Sequence, residues 1–303
     1  MITIKIILCP VDFFPASRKA LKYAAALAAS HNATLKVIHV VAPIISNAYP
    51  YPLDVVNPTG SMKKESQLQL KKLLASVKAE GVSSSSEVIT GDIDLEIKRV
   101  IAGCKPDLIA MGTHGRRGFE RWFIGSATER LLRHSPVPLL TVGDHTPRRR
   151  DVAKFRRILV TTDFSEGTAD ALEYAFAIAR ENDAHVTLLH IEQELPTEFE
   201  VAERAAFDRR SEEELLKRIP AAAAGWHDVD TRIEKGIPYQ VILETIEKDK
   251  IDLLVMNIHG KGMLERALLG STAERVVRAA RCPVLAVPPM PAAKKLRARK
   301  RAA

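Results

Sequence analysis

Leu108-Ile109-Ala110-Met111-Gly112-Thr113-His114-Gly115 returns near the end of the chain as Leu253-Leu254-Val255-Met256-Asn257-Ile258-His259-Gly260. Each copy is a short apolar run that stops at a small-residue turn. Gly125-Ser126 stands ten residues beyond Gly115, and Gly270-Ser271 stands ten beyond Gly260. An apolar run of this length reads as a strand buried on both faces, as in a parallel sheet. A small-residue turn after it, then a second one opening a helix, is how a chain cradles phosphate. Backbone N–H groups reach the anion with no Cβ between, and the helix dipole favours negative charge. One such pattern carries little weight. The same spacing twice in one chain carries much more.

The repeat extends in both directions. Ile6-Ile7-Leu8-Cys9-Pro10-Val11-Asp12-Phe13 aligns with Arg157-Ile158-Leu159-Val160-Thr161-Thr162-Asp163-Phe164, and His39 falls on His190, all at an offset of 151. Downstream, Gly91 falls on Gly236, Asp107 on Asp252 and Glu129-Arg130 on Glu274-Arg275, at an offset of 145. The six-residue difference lies between His39 and Gly91, where the first copy carries the Pro-rich stretch Ala42 to Pro52. That longer loop, with Tyr49 and Tyr51, reads as a covering or interface element, or as a lid over a ligand. Two copies in 303 residues give two ordinary domains. The expected division is 1–145 and 155–290, with a linker at 146–154 and a basic, disordered tail at 291–303.

Expected strands are Ile4–Cys9, Thr34–Val41, Ser85–Ile89, Leu108–Met111 and Pro138–Val142, then Arg157–Thr161, His185–Ile191, Asp230–Ile233, Leu253–Met256 and Val284–Val287. Between them, Ala20-Leu21-x2-Ala24-Ala25-x-Leu27-Ala28 and Ala171-Leu172-x2-Ala175-Phe176-x-Ile178-Ala179 have helical spacing. Alternation of strand and helix with right-handed crossovers gives an α/β fold of two tandem doubly wound parallel sheets. Ligands of such sheets bind beyond the carboxyl ends of the strands, where the strand order reverses. The last strand of each copy would be an apolar edge, and such edges are normally covered. Because the chain holds two copies, one can cover the other within the chain, giving an intramolecular pseudo-dimer, with homodimerisation open.

With 46% hydrophobic and 27% charged residues, the composition is that of a soluble globular protein. No run suits a membrane span, and the N-terminus lacks a signal-peptide layout. Cys9, Cys104 and Cys282 sit at non-equivalent positions without metal spacing, which points to a reducing cytoplasm. The net charge of +8 resides in the 144–157 window and the tail, so the folded bodies are slightly acidic. Nucleic acid is therefore not the expected partner.

Asp12 and Asp163 follow the first strand of each copy, and His39 and His190 end the second. All lie at the same edge as the glycine turns. Aspartate at a strand end caps backbone as readily as it meets a ligand. The histidines read as strand-end residues bonded to backbone. Arg116, Arg117 and Lys261 read equally as phosphate partners or as solvated loop charges.

With these residues in place, the chain resembles the universal stress protein family in its tandem-domain form, from Ile4 to Val287. The family's ATP-binding subgroup carries G-x2-G-x9-G-(S/T), which Gly112, Gly115, Gly125 and Ser126 match in full. The resemblance implies adenine nucleotide alpha hydrolase-like, Rossmann-like domains that bind ATP, ADP or AMP, with Mg2+ as a companion ion. It implies that Val40 reads the adenine through its backbone, that Asp12 sits near the nucleoside, and that Met111, Gly112, His114, Gly115, Arg116, Gly125, Ser126, Ala127 and Thr128 surround ribose and phosphates. In the second copy it assigns these parts to Asp163, Ile191, Met256, Asn257, Gly260, Gly270, Ser271 and Thr272. Two departures stand out. Asn257 replaces the motif's first glycine; asparagine best tolerates a left-handed turn, yet its side chain would crowd the ligand. And the first copy reads Asp12-Phe13-Phe14 where the second keeps Asp163-Phe164-Ser165. The first site is expected to be the better cradle.

A P-loop and a dinucleotide fingerprint after the first strand are both missing. Three readings stay open: a nucleotide-binding stress or regulatory protein acting through an unnamed protein partner; a slow Mg2+-dependent ATPase, for which no motif fixes a base beside a γ-phosphate; and a scaffold with a degenerate second site.

Overall fold

The computed structural model describes residues 2–43, 58–79, 81–113, 124–147, 154–165, 167–192, 201–219, 228–258 and 269–289. The first half runs β1 (Ile6–Pro10), α1 (Pro15–Ser30), β2 (Thr34–Val41), α2 (Pro58–Ala79), β3 (Ser84–Thr90), α3 (Ile93–Cys104), β4 (Leu108–Gly112), α4 (Ser126–His134) and β5 (Leu139–Val142). The second repeats it as β6 (Arg157–Thr162), α5 (Gly167–Asn182), β7 (His185–Glu192), α6 (Val201–Arg218), β8 (Val229–Lys235), α7 (Pro238–Lys248), β9 (Leu253–Asn257), α8 (Ser271–Ala279) and β10 (Val284–Val287). Strand bounds differ from the sequence reading by one or two residues at several ends, where frayed pairing sets the limit. The Tyr49 and Tyr51 loop, the linker core and the basic tail lie outside the described residues.

The ten strands form one sheet in the order β3-β2-β1-β4-β5-β10-β9-β6-β7-β8. All pairs are parallel except β5 with β10, which run antiparallel with Leu140 opposite Leu285. The apolar edge strands thus cover each other. Thr141 Oγ1 adds a bond to the Val284 carbonyl at 3.1 Å, and Tyr174 Oη of α5 crosses to the Asp107 carbonyl at 3.1 Å. Successive strand residues face opposite sides, as a pleat requires. Ile7 and Cys9 join the core under α1, α2, α5 and α6, while Leu8 and Ile38 join the core under α3, α4, α7 and α8. Continuous apolar runs, buried on both faces, are the result. Burial also pushes the Cys9 thiol far up, so it stays protonated.

The repeated aspartates at 107 and 252 act at the opposite sheet end from the ligand edge. Asp107 Oδ2 accepts from the Lys5 and Ile6 amides at 2.9 and 3.0 Å, and Asp252 accepts from the Arg156 and Arg157 amides at 2.8 and 3.0 Å. Each carboxylate ties off the first strand of its domain, a structural reason for the repetition.

His31, at the end of α1, breaks the symmetry of the domain seam. Its counterpart Asn182 donates to the Ile178 carbonyl at 2.8 Å and accepts from the Phe155 amide at 3.2 Å. His31 Nδ1 lies 3.1 Å from the Leu27 carbonyl, but its Nε2 is buried without a partner. Burial pushes its pKa below the usual value, opposed by the Leu27 carbonyl and by Glu181 of α5. A folded pKa below the unfolded value means that the folded state binds the proton less tightly. The stability involved is fully present above pH ~6.5 and is lost as pH falls below it. His31→Asn should therefore flatten the decline of the denaturant midpoint between neutral and mildly acidic pH. A parallel decline in both proteins would remove His31 from the account.

Candidate functional site

In each half the strand order reverses between the first and fourth strands, β1 and β4 or β6 and β9, the place where doubly wound sheets bind ligands. Three elements meet there: the loop after the first strand, the end of the fourth strand and the start of the short helix that follows.

The helix start carries the anion chemistry. Gly125 and Gly270 occupy the N-cap positions of α4 and α8, and neither helix has a side-chain cap bond. The amides that open these helices therefore keep their donors for an external acceptor. Gly125 N–H donates to the Thr113 carbonyl at 2.7 Å, and Gly270 N–H to the Ile258 carbonyl at 3.1 Å. These bonds bring each helix start back to the strand end that precedes it. Ser126 and Ser271 are exposed, while Ala127 and Thr272 are partly so. His114, Gly115, Arg116, Arg117, Gly260 and Lys261 lie outside the described residues.

Thr128 has another task. It is 3% exposed, and its hydroxyl donates to the Gly112 carbonyl at 2.9 Å. That bond pins α4 to the end of β4. In the second domain the equivalent residue is Ala273, which cannot make it; the hydroxyl has moved one place to Thr272. The shift is visible in Ser126-Ala127-Thr128 against Ser271-Thr272-Ala273 once the strand-end carbonyl is known to be its target.

The loop after the first strand is locked in the same way in both halves. Phe13 and Phe164 have φ of 67° and 60°, a region that bulky residues rarely enter. Their rings lie against the strand-end histidines, with centroids 4.4 Å apart for Phe13 and His39 and 3.9 Å for Phe164 and His190. The histidine Nδ1 atoms lie 2.7 Å from the Val11 carbonyl and 2.8 Å from the Thr162 carbonyl. A carbonyl only accepts, so each ring donates from Nδ1 and is bonded to backbone, as the sequence indicated. Asp12 Oδ1 accepts from the Phe14 amide and Asp163 Oδ1 from the Ser165 amide, both at 3.0 Å. One oxygen of each carboxylate thus caps the turn that follows the first strand. Each loop is also clamped by an arginine: Arg18 of α1 donates to the Phe13 carbonyl at 2.8 Å, and Arg218 of α6 donates to the Phe164 and Ser165 carbonyls at 2.9 and 3.1 Å.

The first motif glycine and Asn257 have a different explanation from the expected one. Neither has positive φ; both end their strands in ordinary backbone. Gly112 is required by close approach. A Cβ there would lie 2.6 Å from the Ser17 nitrogen and 2.7 Å from the Ala16 carbonyl carbon, both backbone atoms of α1. In the second domain Gly167 replaces Ala16. A Cβ on Gly167 would lie 2.3 Å from Asn257 Nδ2. The carboxamide thus occupies the space that Gly167 leaves at the head of α5, and Nδ2 donates to Ser165 Oγ at 3.1 Å. The two departures noted in the sequence form one contact: Ser165, Gly167 and Asn257 fit together, where the first domain sets Ala16 and Ser17 against Gly112. Left-handed tolerance has no part in it.

The sequence profile described as the universal stress protein family matches residues 3–143 and 154–288. The chain belongs to the universal stress protein family. A universal stress protein of Mycolicibacterium smegmatis is 25% identical over 293 residues, covering 93% of this chain and 97% of that protein. One from Methanocaldococcus jannaschii is 37% identical over 139 residues, 44% of this chain and 82% of its own length. The crystal structure of a universal stress protein from Archaeoglobus fulgidus superposes with a TM-score of 0.71 at 25% identity, covering 93% of this chain and 98% of that one. The universal stress protein fold therefore occurs twice here. Among the described residues no helix is long and apolar enough to cross a membrane, and no group of three or more metal-ligating side chains is present.

Proposed function

We propose that this universal stress protein binds one adenine nucleotide (ATP, ADP or AMP) at the switch point of each domain, and acts as a cytoplasmic stress-response regulator that changes its contacts with a protein partner. The observation that carries this is the pairing of an uncapped helix start, Gly125-Ser126 or Gly270-Ser271, with the strand end at Gly112 or Asn257. Phosphates would lie on the helix amides, with His114, Gly115 and Arg116 or Gly260 beyond them. Ribose would sit beside Asp12 or Asp163, and the base against the backbone of Val40 or Ile191. Met111 and Met256 would form the floor. Mg2+ keeps most of its water shell and binds through phosphates with one or two carboxylates. Asp12 or Asp163 fits that modest requirement.

The two sites should differ. The Thr128 bond that pins the first cradle has no counterpart at Ala273. Calorimetric titration of the full chain with ATP should resolve two classes of site. A separation of on the order of tenfold, ~1.4 kcal/mol, matches one hydrogen bond. Thr128→Ala should weaken the tighter class alone. Two equal sites would overturn the asymmetry, and an absence of binding heat with no nucleotide retained on gel filtration would overturn the function.

A further inference from the structure

The outer face of the first domain carries a second hollow, one helical turn beyond the nucleotide cradle. The helices α3 and α4 enclose a cavity of about 260 Å3. Its walls are Ile97, Ile101, Leu131 and Pro136, and Lys98 and His134 stand among its lining. Asp94 and Arg130 close one end as an ion pair.

The second domain shows what the same architecture does with this space. Position 94 corresponds to Tyr239, and Arg130 to Arg275. The Tyr239 ring packs against the core of its domain, with the Arg275 guanidinium 4.6 Å from the ring centroid, and α7 packs on α8. A guanidinium over an aromatic face is a favourable electrostatic contact. In the first domain the arginine remains, but aspartate replaces the ring and the helices leave a hollow.

We propose that the α3–α4 hollow of the first domain binds a planar aromatic acid of one or two rings, a small molecule that supplies from outside the ring that Tyr239 supplies in the second domain. Size supports this, since an apolar cavity of about 150 Å3 already holds benzene. Charge supports the acid. The Arg130–Asp94 ion pair is neutral as a pair, which leaves the Lys98 ammonium as the net charge of the lining, with the His134 imidazole as a further hydrogen-bonding group. The ring lies on Ile97, Ile101 and Leu131, and the carboxylate of the ligand meets Lys98 or His134 at the mouth. The nucleotide reading is not needed for this site.

The test is a titration of the full chain with 2-naphthoate, followed by ligand NMR and fluorescence. One saturable site per chain is expected, undisturbed by saturating ATP. Asp94→Tyr installs the second domain's ring and should weaken binding by at least about tenfold, ~1.4 kcal/mol. Ile101→Trp, which fills the hollow from the other wall, should do the same if the first variant misfolds. Tyr239→Asp should create a second site. Absence of saturable binding, displacement by ATP, or affinity unchanged in both filling variants would overturn the proposal.

Discussion

Gly112→Asn is expected to destabilise the first domain, although asparagine occupies the same place in the second. The added Cβ would meet the Ser17 nitrogen and the Ala16 carbonyl carbon. These are backbone atoms at the start of α1, which cannot rotate away. Overpacking of this kind costs about 1–3 kcal/mol, so thermal unfolding should begin several degrees earlier. Adding Ala16→Gly gives the first domain the glycine that accommodates Asn257 in the second. The pair should recover much of the loss, and Phe14→Ser should recover more by supplying the hydroxyl that Ser165 offers to Asn257. Contacting residues show coupling of about 0.5–3 kcal/mol in double-mutant cycles. Purely additive effects of Gly112→Asn and Ala16→Gly would mean that the contact is not what selects these residues.

Gly125→Val is expected to have the largest effect on function. Gly125 has φ −58° and ψ 141°, extended backbone that valine adopts readily. The helix and its packing through Leu131 and Leu132 should survive, and the far-ultraviolet circular dichroism spectrum with them. What changes is the approach to the amides of Ser126 and Ala127, where two methyl groups would stand in the path of a phosphate. Loss of the tighter ATP site by a factor of on the order of a hundred, ~2.7 kcal/mol, should follow, with the weaker site unchanged. Full affinity at both sites would move the phosphates away from this helix.

Much of the architecture is legible in the sequence, because parallel strands buried on both faces are continuously apolar and because the chain states its pattern twice. The need to cover the apolar last strand of each copy was legible; the antiparallel sense in which β5 and β10 meet that need was not. The histidines at 39 and 190 read correctly as strand-end residues bonded to backbone. What escaped was chemistry carried by contacts distant in sequence. Gly167 lies 90 positions before Asn257, and the two belong to segments that repeat with different offsets, so their joint change looked like an isolated departure. Phe13 and Phe164 gave no sign of their positive φ; that geometry is held by the histidine rings, and no local propensity favours it. Asp107 and Asp252 stand in the sequence only as matching positions of the repeat; their task of closing the opposite end of the sheet is set by amides far away in the chain. The Thr128 hydroxyl read as a ligand contact, and it serves as a pin between α4 and β4.

The second domain is therefore built to accommodate its asparagine. Nucleotide at both switch points is the central claim, and native mass spectrometry of the full chain tests it most directly. Protein isolated without added nucleotide should carry adenine nucleotide, and saturation with ATP should bring the count to two per chain. A bare protein mass that stays bare at saturating ATP would contradict the account.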